Sequence, residues 1–260
     1  MKRVLTVQDL SCLGKCSLTV ALPVLSAMGC SCSVLPTAVL STHTAFPRPH
    51  VRSLTGDIAP ICDHWKRIGA GFDCISIGYL SDPSQADAIA AVTGTFDCPV
   101  VLDPVLGDQG KPYSGITPDH IAAVKALCVK ATVILPNITE ACLLTGMEYR
   151  QQGDETYYAQ LLQALCKLCP RVVLTGVNLH SGMTGFMTHT GFLYQAPQLP
   201  GHYHGTGDLF AAVFTGAWIT GAQLENAATQ AAQMVERSIA ATGEPTPFGL
   251  NFETQLHTLL

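Results

Sequence analysis

Charged side chains are scarce in this chain: Asp, Glu, Lys and Arg make up only 13% of its 260 residues. No block of Lys or Arg occurs, and the formal net charge is -5. Nucleic acid and anionic membrane surfaces are therefore not expected partners, because both are held through clustered cations. Long apolar runs are also missing. None approaches the roughly 18 residues needed to span a bilayer, and the opening Met1-Lys2-Arg3-Val4-Leu5-Thr6-Val7 meets Gln8 and Asp9 too early for a secretory signal. The chain lacks a second cysteine pair at zinc spacing beside Cys166-Lys-Leu-Cys169 or Cys30-Ser-Cys32, which argues against a metal cluster. It has no linker, internal repeat or low-complexity stretch, so 1–260 reads as one domain.

What is present is apolar: 48% of the residues are hydrophobic, enough for a large core. So low a charge content suits a sheet covered by helices on both faces. The eleven cysteines fall mostly in apolar or helical runs and read as small buried thiols of a reducing cytoplasm.

Strand-like and helix-like segments alternate along most of the sequence. Val4–Val7, Ser33–Pro36, Cys74–Ile77, Pro99–Leu102, Val133–Leu135 and Arg171–Leu174 are short apolar runs, most of them leading into helical patterns. Met183–Thr188 and Phe192–Gln195 flank His189-Thr190-Gly191 as a hairpin. Two helices follow, from Gly207 to about Ile219 and from Leu224 to about Ala241, before a short C-terminal piece. This order predicts an α/β fold, a mostly parallel central sheet flanked by helices in three αβα layers. Ligands of such sheets bind beyond the carboxyl ends of the strands. Asp9, Gly78-Tyr79, Asp103, Asn137 and Thr175 all fall there.

Gly205-Thr206-Gly207-Asp208 opens the first of the two long helices. Its glycines let backbone approach a charged group closely, the helix start offers free N–H donors, and Asp208 puts a carboxylate at the helix mouth. That combination suits phosphoryl transfer to an alcohol. Asp103, at a strand tip in Asp103-Pro104-Val105-Leu106-Gly107-Asp108, suits Mg²⁺ or its waters; Asp108 reads as a solvated turn residue. Asn137-Ile138-Thr139-Glu140 fits a capping box, and the same geometry aims Glu140 across the rim toward Asp103. Gly14-Lys15 is not a P-loop, since Asp9 stands where the first glycine is needed and Cys16 where Ser or Thr is needed. His202-Tyr203-His204 reads as part of a mobile cover over a nucleotide, not as a ligand set.

Taken in order and spacing, Gly78-Tyr79-Leu80, Asp103 to Gly107, Pro136 to Glu140 and Gly205 to Asp208 resemble the ribokinase-like superfamily, and within it the pyridoxal kinase family, over nearly the full length. The resemblance implies ATP-dependent phosphorylation of the 5′-hydroxymethyl group of pyridoxal, pyridoxine or pyridoxamine. It implies Mg²⁺ and often K⁺, a nine- or ten-stranded αβα domain and a homodimer. By that likeness Asp208 is the base and Gly205, Thr206 and Gly207 the anion hole. Asp103 and Glu140 serve the Mg–ATP, and Thr175 faces the phosphates. Ser41-Thr42-His43-Thr44 is similar to the family's substrate loop, which places His43 and Thr44, with Tyr79 and Asp9, beside the pyridine ring.

Two positions depart from the pattern. Many pyridoxal kinases carry Ser where this chain has Asp9, and an acid there is closer to hydroxymethylpyrimidine kinases, the alternative activity. Gly176 stands where some members have Lys, leaving one cationic contact missing unless Lys15 or Lys111 replaces it. A silent vitamin-binding protein is a third reading, which the retained base and glycines disfavour.

Overall fold

The computed structural model describes residues 1–260. Its elements run β1 (Arg3–Leu13), α1 (Leu18–Ala27), β2 (Ser31–Thr42), β3 (Val51–Ser53), α2 (Thr55–Arg67), β4 (Cys74–Ile77), α3 (Gln85–Phe96) and β5 (Val100–Leu102). A small ribbon follows, β6 (Gly107–Asp108) and β7 (Lys111–Pro112), then α4 (Pro118–Cys128), β8 (Val133–Ile134), α5 (Ile138–Thr145) and α6 (Glu155–Leu165). The chain ends with β9 (Val173–Val177), β10 (Met183–Thr188), β11 (Leu193–Pro197), α7 (Thr206–Ile219), α8 (Leu224–Thr242) and a 3₁₀ segment over Glu253–Leu259.

Six strands pair in the order β3-β2-β1-β4-β5-β8, parallel throughout except for β3 at the edge. Parallel bridges from Ile134 to Val172 and from Asn137 to Thr175 carry the sheet on to β9, and β10 and β11 extend it antiparallel. Consecutive strand residues send side chains to opposite faces, and in this sheet both faces are apolar. Val4, Cys74, Val101, Val133 and Val173 pack with α1, α7 and α8 in one core. Their neighbours Leu5, Ile75, Leu102, Ile134 and Leu174 pack with α2 to α6 in the other. That alternation of partner is why short uninterrupted apolar runs produce three layers.

The expected strands appear, with two corrections that bear on the site. β1 does not stop at Val7: its pairing with β2 shifts register between Gln8 and Leu10 and continues to Leu13 opposite Thr42. Asp9 therefore lies inside a strand, at an irregularity, and not in a following loop. β2 likewise runs past Pro36, so Ser41 and Thr42 are strand residues and the turn begins at His43. Both extensions mix polar and apolar residues, with Gln8, Asp9 and Ser11 in β1 and Pro36 inside β2, and are held by ladder bonds that a local apolar run does not announce. Edge strand β3 is short and exposed, and α2 carries Pro60 in its interior, so neither stands out in sequence. All eleven cysteines are free thiols; Cys166 falls just past the end of α6 and, with Cys12, is exposed. No helix is long and apolar enough to cross a membrane.

Candidate active site

A cavity of about 740 Å³ opens at the carboxyl ends of the central strands. Asp9, His43, Thr44, Tyr79, Asp103, Glu140, Thr175, Gly205, Thr206, Gly207 and Asp208 all line it. The topology explains the convergence: β1, β4, β5, β8 and β9 point the same way, so their ends share one rim.

Gly205 caps α7 with φ +83, a left-handed conformation, and a Cβ there would stand 2.4 Å from the Lys15 carbonyl oxygen. Glycine is required on both counts. The first turn of α7 then presents unpaired N–H groups to the cavity, with Asp208 in that same turn. A Cβ built on Gly207 would lie 3.8 Å from the Asp103 Oδ2 atom, so the Asp103 carboxylate rests against the helix start.

Burial raises the Asp208 carboxyl to about 6, with Asp9 pushing the same way and the Ser17 backbone N–H pulling against them. Asp103 is held above the ordinary carboxylate range first by burial and then by Asp208. Glu140 is raised by burial and by Asp103, while backbone donors oppose the shift. Its Oε1 accepts from Leu106 N–H at 3.1 Å and its Oε2 from Asn137 N–H at 2.9 Å, completing the capping box with Asn137. Glu140 thus ties the Asp103–Gly107 loop to the start of α5. The Asn137 side-chain amide reinforces this by donating to the Gly107 carbonyl at 2.9 Å.

Asp9 is 3% exposed and accepts from Ser11 Oγ at 3.0 Å and from Ser17 Oγ. Burial raises its pKa, and the two hydroxyls oppose that. Ser17 was not singled out from sequence. It sits at φ 48 as the residue before α1, with its hydroxyl on Asp9 and its backbone N–H toward Asp208. A serine ahead of an apolar helical run is the signal that could have marked it. Thr44 and Tyr79 flank the same end, and the Tyr79 carbonyl accepts from Thr37 Oγ1 at 3.0 Å.

The suggested replacement lysines stand elsewhere. Lys15 Nζ is engaged by Glu253 at 2.8 Å and Asn251 at 2.9 Å, and Lys111 lies on the exposed strand β7, outside the cavity wall. Gly176 lines the cavity with φ +75. Asp108, expected to be simply solvated, reaches the rim and faces His202 at 3.8 Å. The segment before Gly205 is pinned as well: Tyr203 is buried and its hydroxyl donates to the Gly243 carbonyl at 2.6 Å. Phe186, Phe210, Val235 and Ile239 form an apolar end of the cavity that sequence reading did not identify, because generic apolar residues carry no local signature.

Residues 25–250 match the family model described as phosphomethylpyrimidine kinase. A crystal structure of a protein given as a phosphomethylpyrimidine kinase from Bacteroides thetaiotaomicron, in an orthorhombic form with pyridoxal, superposes with a TM-score of 0.93. Its sequence identity is 35%, covering 99% of this chain and 95% of that one. Pyridoxal kinase from Lactobacillus plantarum gives a TM-score of 0.91 at 34% identity, covering 100% and 97%. The pyridoxine/pyridoxal/pyridoxamine kinase of Bordetella pertussis is 28% identical over 261 residues, 93% of this chain and 89% of that protein. Likeness of this extent places the chain in the phosphomethylpyrimidine kinase family, among the pyridoxal kinases of the ribokinase-like fold.

Proposed function

We infer that this chain transfers the γ-phosphoryl group of ATP to the 5′-hydroxymethyl oxygen of a vitamin B6 vitamer, giving the 5′-phosphate and ADP. The observation that carries this reading is the juxtaposition at the start of α7. A buried carboxylate whose pKa is raised to about 6 shares one turn with a glycine-opened row of backbone donors. Asp208 takes the alcohol proton as the oxygen–phosphorus bond forms and the bond to ADP breaks. Being raised only to about 6, it is ionised at neutral pH and still a competent proton acceptor. The N–H groups of Gly205, Thr206 and Gly207, with the helix dipole, hold charge on the equatorial oxygens. Thr175 faces the phosphates from the end of the neighbouring strand. The apolar end built on Phe186, Phe210, Val235 and Ile239 takes the adenine.

The residues present fit a hydrated Mg²⁺ arriving with the nucleotide. No cluster of three or more His, Cys, Asp or Glu side chains forms a cage of its own, and Mg²⁺ ordinarily keeps several waters while binding one or two carboxylates plus phosphates. Asp103 is the carboxylate free to meet it. Glu140 has both oxygens on backbone donors, so it acts through water and by fixing the Asp103 loop. Mg²⁺ supplies charge neutralisation on the transferring phosphates.

At the opposite end, His43, Thr44 and Tyr79 surround the pyridine ring and Asp9 sets preference among vitamers. A buried carboxylate favours the cationic amine of pyridoxamine or a protonated ring nitrogen. The pyrimidine-alcohol alternative is not favoured, because Asp208 stands after the second glycine and similar proteins are named pyridoxal kinases. The eleven free thiols support a reducing cytoplasm. One kinase domain over 1–260, K⁺ activation and a homodimer complete the proposal. The test is ADP formation with pyridoxal, pyridoxine, pyridoxamine and hydroxymethylpyrimidine. Turnover confined to the pyrimidine would overturn the assignment.

A further inference from the structure

The cavity wall contains six carboxylates, Asp9, Asp103, Asp108, Glu140, Asp208 and Glu236, and no Lys or Arg. A triphosphate entering it meets no permanent cationic side chain. Three imidazoles line the wall instead, in contact one after another, the first pair tilted and the second edge-on. The His43 and His204 ring centroids are 4.7 Å apart and those of His204 and His202 are 5.1 Å apart.

The outer two rings are committed. His43 Nε2 donates to the Pro247 carbonyl at 2.7 Å while its Nδ1 accepts from Ala45 N–H at 3.3 Å, so both of its ring nitrogens are engaged. His202 Nδ1 meets the Gln109 amide nitrogen at 3.0 Å, with Asp108 Oδ2 at 3.8 Å on the same atom. Neither nitrogen of the central His204 appears in any side-chain hydrogen bond, although that residue directly precedes Gly205 and the anion hole.

Resting on the kinase reading above, we propose that His204 is the phosphate-contacting cation of this site, protonated as nucleotide binds. The groups bearing on it come from three elements. Burial, His43 from the turn after β2 and His202 from its own loop hold its pKa down, and Asp108 from the β6–β7 ribbon opposes them. Without nucleotide the ring is therefore neutral near pH 7. A phosphate alongside supplies the negative charge that reverses the balance, so binding draws in a proton. The nearby Lys15 takes no part, being paired with Glu253.

The experiment is titration of Mg–ADP into the full-length protein, without vitamer, at pH 6 and pH 8. Wild type, His204→Gln and His204→Lys are compared after matching thermal melts. A charged hydrogen bond to phosphate is worth about 10–100-fold in affinity. Wild type is expected to bind at least about tenfold more tightly at pH 6 than at pH 8. His204→Gln should bind weakly at both pH values, keeping only the smaller slope contributed by the carboxylates. His204→Lys should bind tightly at both. A Gln variant with wild-type affinity and wild-type pH dependence overturns the proposal, as does a Lys variant no tighter than Gln. Wild-type vitamer phosphorylation, measured in parallel, keeps the two readings separable: turnover alongside a silent His204 removes only this inference.

Discussion

Acidification should cost this enzyme activity while strengthening its fold, because one buried carboxyl governs both. Asp208 titrates at about 6 in the folded chain, raised from an ordinary 3.8 by burial and Asp9. As the proposed general base it must be ionised. Its ionised fraction falls from about ten-elevenths at pH 7 to about one-eleventh at pH 5, so kcat/KM should drop about tenfold over that interval. Stability moves the other way. The folded chain binds this proton more tightly than the unfolded chain does, so between pH 7 and pH 5 protonation favours the native state by on the order of 1 kcal/mol. For a protein of this size that is a rise in Tm of about 2–4 °C. Asp9, Asp103 and Glu140 are raised too and add in the same direction. The assay is a pH–rate profile beside a pH series of thermal melts, for wild type and for Asp208→Asn. The variant should lose the Asp208 share of the pH-dependent gain and should melt higher than wild type at pH 7. Asp9→Asn should move the acidic limb to lower pH. A wild-type kcat/KM that stays level from pH 7 to pH 5 refutes the reasoning, and so does a Tm gain in Asp208→Asn equal to that of wild type.

Gly205→Ala should lose more than about 2 kcal/mol of stability in chemical denaturation, since a left-handed φ and a backbone clash coincide there. Turnover should fall with it; a variant of wild-type stability contradicts the geometry. Asp103→Asn should raise the Mg²⁺ concentration for half-maximal rate by about 10-fold or more, read from a Mg²⁺ titration at fixed ATP, and an unmoved midpoint would remove Asp103 from the metal. Asp9→Ser should lower the ratio of kcat/KM for pyridoxamine over pyridoxal, and an unchanged ratio defeats the charge argument for that residue.

Much of the fold was legible because β4, β5, β8 and β9 are short, apolar and bounded by turn residues, and their ends coincide with the polar residues of the rim. The capping box at Asn137 and Glu140 was legible for the same reason: both partners are local. The failures share a cause as well. β1 beyond Val7 and β2 beyond Pro36 are mixed polar and apolar strand ends sustained by each other over a separation of about 29 residues, which no local window registers. Ser17 matters only because α1 begins beneath α7, bringing its hydroxyl to Asp9 and its N–H toward Asp208. The histidine contact is likewise tertiary, joining residues 43 and 204 on the cavity wall. Local chemistry thus identified the carboxylates and glycines, while the residues that orient them emerged only from packing.

The most direct trial of the central assignment is single-turnover phosphoryl transfer from ATP to pyridoxal by Asp208→Asn. The account predicts a rate lower by roughly 10²–10⁴-fold with nucleotide affinity essentially retained. A rate within a few-fold of wild type would contradict it.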